Sequence, residues 1–135
     1  MKILILCTGN SCRSQMADGL LKEYFKNFEI YSAGTKPETV NPLAIRVMRE
    51  IGIDISKNKS NSAKEYDYIN FDFVFTVCDN AKETCPIFID NNAKKIHKNF
   101  KDPSKLNNGL YGTEFIEVRD QIKSFIIEFI KVNLC

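Results

Sequence analysis

Ile3-Leu4-Ile5-Leu6-Cys7-Thr8-Gly9-Asn10-Ser11-Cys12-Arg13-Ser14 decides how the rest of the chain is read. Its first half, with Lys2, has the pattern of a short buried strand, and Gly9-Asn10 breaks it. From Ser14 onward, Met16, Leu20, Leu21, Tyr24, Phe25 and Phe28 recur at helical spacing. A loop that opens on a cysteine therefore lies between a strand end and a helix start. Cys7 and Arg13 bracket five residues, the spacing Cys-x5-Arg. A loop that short, leading into a helix, turns successive backbone N–H groups inward to cradle an anion. Thr8, Gly9, Asn10, Ser11, Cys12, Arg13 and Ser14 are the expected oxyanion-binding residues. Gly9 takes backbone angles closed to other residues, and Asn10 tolerates a left-handed conformation. The guanidinium of Arg13 offers a planar fork to two oxygens of a phosphate-like group. The same N–H groups and helix terminus favour a thiolate at Cys7, and Ser14 can donate a hydrogen bond to it. Cys12 is expected to pack or to support the loop.

The 135 residues fit one domain, residues 1–135, and 44% hydrophobic with 27% charged residues is ordinary for a globular protein. Lys and Arg total 19 against 17 acidic residues, too even a balance to argue for nucleic acid or an anionic membrane surface. The apolar run after Met1-Lys2 stops at Thr8, short of a secretory signal and without a small-residue cleavage site. Nothing approaches the ~18 apolar residues of a membrane span. The expected compartment is the cytoplasm, where structural disulfides are rare and cysteines tend to be catalytic, redox-active or metal-bound.

Further strands are expected at Glu29–Ser32, Asp72–Val77 and Lys94–His97. Asn41-Pro42 starts a helix with a capping residue and a proline at the first helical position, and Leu43, Val47, Met48 and Ile51 run to its end at Gly52. Ser62 and Glu65 form a capping-box pattern for a short helix. Thr113 is expected to cap a long helix with Phe115, Val118, Ile122, Phe125, Ile126, Phe129 and Ile130 on one core-facing side. Strands alternating with helices imply one α/β domain, a central four-stranded parallel sheet flanked by helices on both sides. Ligands of such sheets bind at the carboxyl ends of the strands, where Cys7 and Cys78 both fall.

Cys78 and Cys85 stand seven apart, and the segment ends in Pro86. If Cys7 becomes bonded to an oxidant, Cys78 is placed to resolve it and Cys85 to move the disulfide outward. Zinc is the chemical competitor, with Cys7, Cys12, Cys78, Cys85 and His97 as the available ligands. Neither thiol pair has the short spacing of a zinc knuckle, so the expected metal content is none. Asp102-Pro103 alone reads as a turn, but in this topology it overhangs the same end of the sheet, where a carboxylic acid can protonate a departing oxygen. His97, the only histidine, is expected to be structural, and Cys135 a thiol without a role.

The chain resembles the thioredoxin-coupled arsenate reductases, which share the low-molecular-weight tyrosine phosphatase fold. The likeness covers nearly the whole chain. Its carriers are Cys7 to Ala17, Tyr31-Ser32-Ala33-Gly34, Asn41-Pro42, Ile53-Asp54-Ile55-Ser56, Cys78 with Cys85-Pro86, Asp102-Pro103 and Val118-Arg119-Asp120. The resemblance implies that Cys7 attacks arsenate held by the loop amides and Arg13, with Asp102 assisting departure of an oxygen. Cys78 then attacks Cys7 and releases arsenite, Cys85 takes over Cys78, and thioredoxin reduces the Cys78–Cys85 disulfide. It also implies a monomer without a tightly bound cofactor, with phosphate and sulfate as substrate analogues. Some relatives bind potassium beside the loop. Asn10, Asp18 and Ser32 match that site, whereas the position usually aspartate is Asn61, which weakens it. His97-Lys98-Asn99-Phe100-Lys101-Asp102-Pro103 stands where the family often has His-Trp-Gly-Phe-Asp-Asp-Pro, adding two lysines near the acid.

A tyrosine phosphatase of the same fold is the nearest alternative. It would hydrolyse aryl phosphates through a Cys7 phospho-enzyme with Arg13 and Asp102 and would need neither Cys78 nor Cys85. Such phosphatases usually carry proline after the loop serine and an aromatic residue after Asp-Pro, where this chain has Gln15 and Ser104. A non-catalytic oxyanion or redox sensor is the remote alternative.

Overall fold

Alternation along a strand puts Ile3, Ile5 and Cys7 on one face and Leu4 and Leu6 on the other, and all five are buried. A strand apolar on both faces belongs inside a sheet. In the computed structural model, which describes residues 1–78, 93–104 and 112–133, β1 (Lys2–Cys7) occupies that place. It pairs on one side with β2 (Glu29–Gly34) and on the other with β3 (Phe73–Thr76), and β4 (Lys94–His97) pairs with β3. All pairings are parallel, giving the order β2-β1-β3-β4. The register sets Cys7 beside Gly34, Leu6 beside Thr76, and Thr76 beside His97, so all four strands end along one edge.

The larger core cluster joins Ile3, Ile5 and Cys7 to three helices: α1 (Arg13–Tyr24), α2 (Pro42–Arg49) and α3 (Gly112–Asn133). α3 contributes Phe115, Val118, Ile122, Ile126 and Phe129, the stripe expected of it. The opposite face carries Leu4, Leu6, Ala33, Phe71 and Val74. It is closed by Tyr31, whose ring meets Tyr66 and Phe71 edge-on at 5.1 and 5.5 Å, and by a single 3-10 turn, Ala63–Tyr66. The Ser62 N–H donates to Glu65 Oε2 at 2.6 Å and the Ser62 hydroxyl accepts from Lys64 N–H at 3.4 Å, so the capping box forms.

β2 runs two residues beyond the expected Ser32, β3 is one residue shorter at each end than the expected Asp72–Val77, and three helix ends also differ from expectation. α1 stops at Tyr24, which is 40% exposed, and Phe25 and Phe28 lie beyond it with their rings stacked at 4.5 Å. The register explains this, because Glu29 must donate its N–H to Met1 O at 2.9 Å and pair with Lys2, and a continuing helix would miss the sheet. α2 opens as expected, Asn41 Oδ1 accepting from Leu43 N–H at 2.8 Å, but ends at Arg49 rather than at Gly52. Gly52 lies in the following turn at φ 80, where Ile53 N–H reaches back to Met48 O at 3.0 Å. Thr113 is not the cap of α3, because Gly112 already occupies a helical position.

Gly34 fixes how closely β2 approaches the cysteine loop. A Cβ on it would lie 2.4 Å from the Thr8 carbonyl oxygen and 2.9 Å from the Asn10 nitrogen, both backbone atoms. Gly34→Ala is expected to force the loop away from the sheet and to cost about 1–3 kcal/mol, the usual penalty of overpacking. Thermal or urea denaturation checks it, and an unchanged midpoint would show that the approach is not tight.

Candidate active site

The loop closes on Cys7 Sγ. Asn10, at φ 48, is in the left-handed region, and this turns its N–H onto the sulfur at 3.2 Å. Asn10 Nδ2 donates to Ser14 Oγ at 2.8 Å, which leaves the Ser14 hydroxyl hydrogen for Cys7 Sγ at 2.9 Å. The sulfur therefore faces two donors, a setting that suits negative charge on it. Cys12 stands at the start of α1 with no side-chain cap, and no acidic residue occupies the first turn of that helix. Its leading N–H groups and the positive end of the helix dipole are thus directed at the loop, where an oxyanion would sit.

The loop is held from outside by backbone bonds. Lys36 N–H donates to Thr8 O at 3.0 Å, Glu38 N–H to Gly9 O at 2.8 Å, and Asn41 N–H to Ser11 O at 3.1 Å. The Ser11 hydroxyl donates to Thr39 O at 3.0 Å. The Asn10 carbonyl accepts from Gln15 Nε2 at 3.0 Å and from the Ser60 hydroxyl at 2.7 Å, and Asn10 Oδ1 accepts from Asn61 N–H at 2.8 Å. Ser60 Oγ also donates to Glu38 O. Gln15, Ser60, Gly34 and Asn58 were not among the expected site residues. Only the quoted Gly34 and the departure at Gln15 carried any signal for them.

Arg13 is buried on α1 and reaches across to the segment after β4. Its Nη1 donates to Phe100 O at 3.2 Å, and its Nη2 lies 3.6 Å from Asp102 Oδ2. The other Asp102 oxygen accepts from Ser104 N–H at 3.0 Å and from the Ser104 hydroxyl at 2.6 Å. The structure thus brings Cys7, Arg13 and Asp102 to the same edge of the sheet, with the carboxylate held by both the guanidinium and Ser104. Cys12 is buried at the start of α1. Burial pushes its thiol up to about 12, the neighbouring charges of Asp102 and Cys7 adding to the rise while the Ser11 hydroxyl and Arg13 oppose it.

Cys78 follows β3 by two residues and is fully buried in the cluster that also holds Cys7 and Cys12. Val77 N–H donates to Leu6 O at 2.9 Å, so the chain entering Cys78 still runs beside β1. Cys78 is disulfide-bonded, and Cys7 and Cys12 are free thiols. Cys85 and Cys135 lie outside the described residues. The exposed His97 ring bonds Asn99 Oδ1 at 2.6 Å, away from the core.

The four residues matched to a potassium site come together, but several of their oxygens already accept hydrogen bonds or face a cation. Asp18, Ser32 and Asn61 line a cavity of about 100 Å³ with Gln15, Lys22 and Lys59. Around it, Asn10 O has Gln15 and Ser60 as donors, Ser32 O and Lys59 O have Asn61 Nδ2 at 3.4 and 3.1 Å, and Asp18 Oδ2 has Lys22 Nζ at 3.1 Å. An amide nitrogen and an ammonium face the place a cation would need, so this donor set does not fit potassium.

The family described as low molecular weight phosphotyrosine protein phosphatase matches residues 2–132. The chain is 44% identical to arsenate reductase 2 of Staphylococcus haemolyticus over 94% of both chains. It is also 44% identical to the arsenate reductase of Staphylococcus aureus strain N315, again over 94% of both. A solved arsenate reductase in its oxidized state superposes with a TM-score of 0.81 at 28% identity, covering 96% of each chain. The chain belongs to the low molecular weight phosphotyrosine protein phosphatase family, among its arsenate reductases.

Proposed function

We propose that the chain reduces arsenate to arsenite through Cys7, Cys78 and Cys85 and is regenerated by thioredoxin. The observation that carries the reading is the closed loop around Cys7 Sγ, with the Asn10 N–H and Ser14 hydroxyl on the sulfur and Arg13 beside Asp102. The loop amides and the Arg13 fork hold arsenate, a tetrahedral oxyanion that phosphate and sulfate imitate. The Cys7 thiolate attacks arsenic, and one oxygen leaves as water after Asp102 delivers its proton, forming a Cys7–arsenic bond. The Cys78 thiolate then attacks Cys7 Sγ. A sulfur–sulfur bond forms, the sulfur–arsenic bond breaks, and its electron pair stays on arsenic, which leaves as arsenite. Cys85 attacks Cys78, freeing the Cys7 thiolate, and a thioredoxin dithiol reduces the resulting disulfide.

The phosphatase reading shares the loop, Arg13 and Asp102, and the family match includes it. Two local details favour the reductase. Gln15 spends its amide on Asn10 O, a bond that proline at that position could not make. Ser104 spends its hydroxyl on Asp102, where an aromatic side chain would instead extend toward a substrate ring. Among the described residues no helix is long and apolar enough to cross a membrane, and we take the chain to act as a cytoplasmic monomer.

Adding arsenate to the protein with thioredoxin, thioredoxin reductase and NADPH is expected to give steady NADPH consumption. Cys7→Ser should abolish it, and Asp102→Asn should lower kcat by about 10²- to 10⁴-fold, the range for a lost general acid. Turnover that survives Cys78→Ser with thioredoxin as the only reductant would overturn the relay. Cys12, with its thiol held up to about 12 by burial, is expected to resist iodoacetamide at neutral pH and to label only after denaturation, read by peptide mass spectrometry.

A further inference from the structure

Asp18 is a buried carboxylate that the proposed chemistry does not use. It is 2% exposed on α1, one turn beyond Ser14, and its Oδ2 accepts from Lys22 Nζ at 3.1 Å and from Asn58 Nδ2 at 3.0 Å. Asn58 Nδ2 also donates to Gln15 Oε1 at 3.0 Å. Gln15 Nε2 passes a donor to Asn10 O at 3.0 Å, and Asn10 N–H donates to Cys7 Sγ at 3.2 Å. From Asn58 through the Gln15 amide to the Asn10 carbonyl the hydrogen bonds run head to tail and polarise one another, and they anchor the residue whose own N–H meets the sulfur.

This series begins at a negative charge set behind a loop built for anions. Unopposed, Asp18 would repel the bound oxyanion through a low-dielectric interior. Lys22 is the cation bonded to Asp18 here, four residues on along the same helix with its side chain 52% exposed.

We propose that Lys22 is a positioning residue for the oxyanion loop: its ammonium neutralises Asp18 and keeps the Asp18–Asn58–Gln15–Asn10 series aimed at Cys7, where a cation from solution would otherwise be required. The inference rests on the loop being the oxyanion site, and not on the reduction that follows. It predicts that sodium and potassium are equivalent for this protein.

The test is calorimetric titration of inorganic phosphate into the reduced full chain, in NaCl and in KCl at equal ionic strength. Wild type should bind phosphate equally in the two salts. Lys22→Met should weaken phosphate binding about threefold to tenfold, the scale of one partly screened charge, and Lys22→Arg should restore it. In the NADPH assay Lys22→Met should raise the KM for arsenate in step with the phosphate affinity. The Lys22 side chain is half exposed, so the substitution leaves the fold intact. Lys22→Met binding phosphate as wild type does, or potassium tightening wild-type binding relative to sodium, would overturn the role of Lys22. Wild type that fails to bind phosphate in either salt would overturn the oxyanion site itself, and so is distinguishable from both.

Discussion

The site depends on one residue held in an unfavourable conformation. Asn10 is fully buried at φ 48, a region that costs an L-residue roughly 1–2 kcal/mol. That cost is met because all its polar groups are bonded: N–H to Cys7 Sγ, side-chain amide to Ser14, side-chain oxygen from Asn61 N–H, and carbonyl from Gln15 and Ser60. A buried polar group left unbonded would cost about 1–3 kcal/mol, so the surroundings hold the strained conformation rather than merely tolerating it. The left-handed turn aims a backbone donor at the Cys7 sulfur, and the residues bonded to Asn10 that keep it there come from α1 and the segment before the 3-10 turn.

This accounts for a polarity that seems misplaced on α1. Arg13, Ser14, Gln15 and Asp18 are all buried in its first two turns, on a helix that also buries Met16, Ala17, Leu20 and Leu21. Such a helix has almost no solvent face at its start. Each buried polar side chain instead faces the loop, the Phe100–Asp102 segment or the Asn58–Asn61 segment. Arg119 plays the comparable part on α3, donating to Val47 O at 2.9 Å at the carbonyl end of α2, with Asp120 at 2.9 Å and Glu50 at 3.8 Å as counter-charges. The helices are tied together at their ends by charge and along their length by apolar contact.

What was legible in the sequence follows from the range of the forces involved. The β1–loop–α1 unit, the Asn41-Pro42 start and the Ser62–Glu65 box are short-range patterns, and each forms where expected. The end of α1 was not legible from periodicity, because Phe25 and Phe28 keep helical spacing while the register of β2 pulls the chain out of the helix. Asn58 and Ser60 were invisible for a related reason. They act on Gln15 and Asn10 from 43 and 50 residues away, and polar residues in a loop carry no local mark of such contacts. Asp102 stood between, a turn residue by local rules and a candidate acid only once the topology set it beside Arg13.

On the proposed reading the loop recognises the shape and charge of a tetrahedral oxyanion and has no means of telling arsenic from phosphorus. Both would meet the same amides, the same guanidinium and the same attacking sulfur. Discrimination on the proposed reading therefore lies after the first covalent step. A phospho-cysteine has no accessible lower oxidation state and can only wait for water, whereas an arseno-cysteine can be resolved by a second thiol with the electron pair left on arsenic. That second thiol must approach the Cys7 sulfur from the side opposite the departing arsenic, which means from a neighbouring strand rather than from the loop. β3 is that neighbour. The bond from Val77 N–H to Leu6 O brings the chain to Cys78 alongside the end of β1, in the same buried cluster as Cys7. On the proposed reading the strand pairing is common to hydrolase and reductase, and what separates them is the thiol that this chain carries at Cys78, set beside the end of β1 by that pairing.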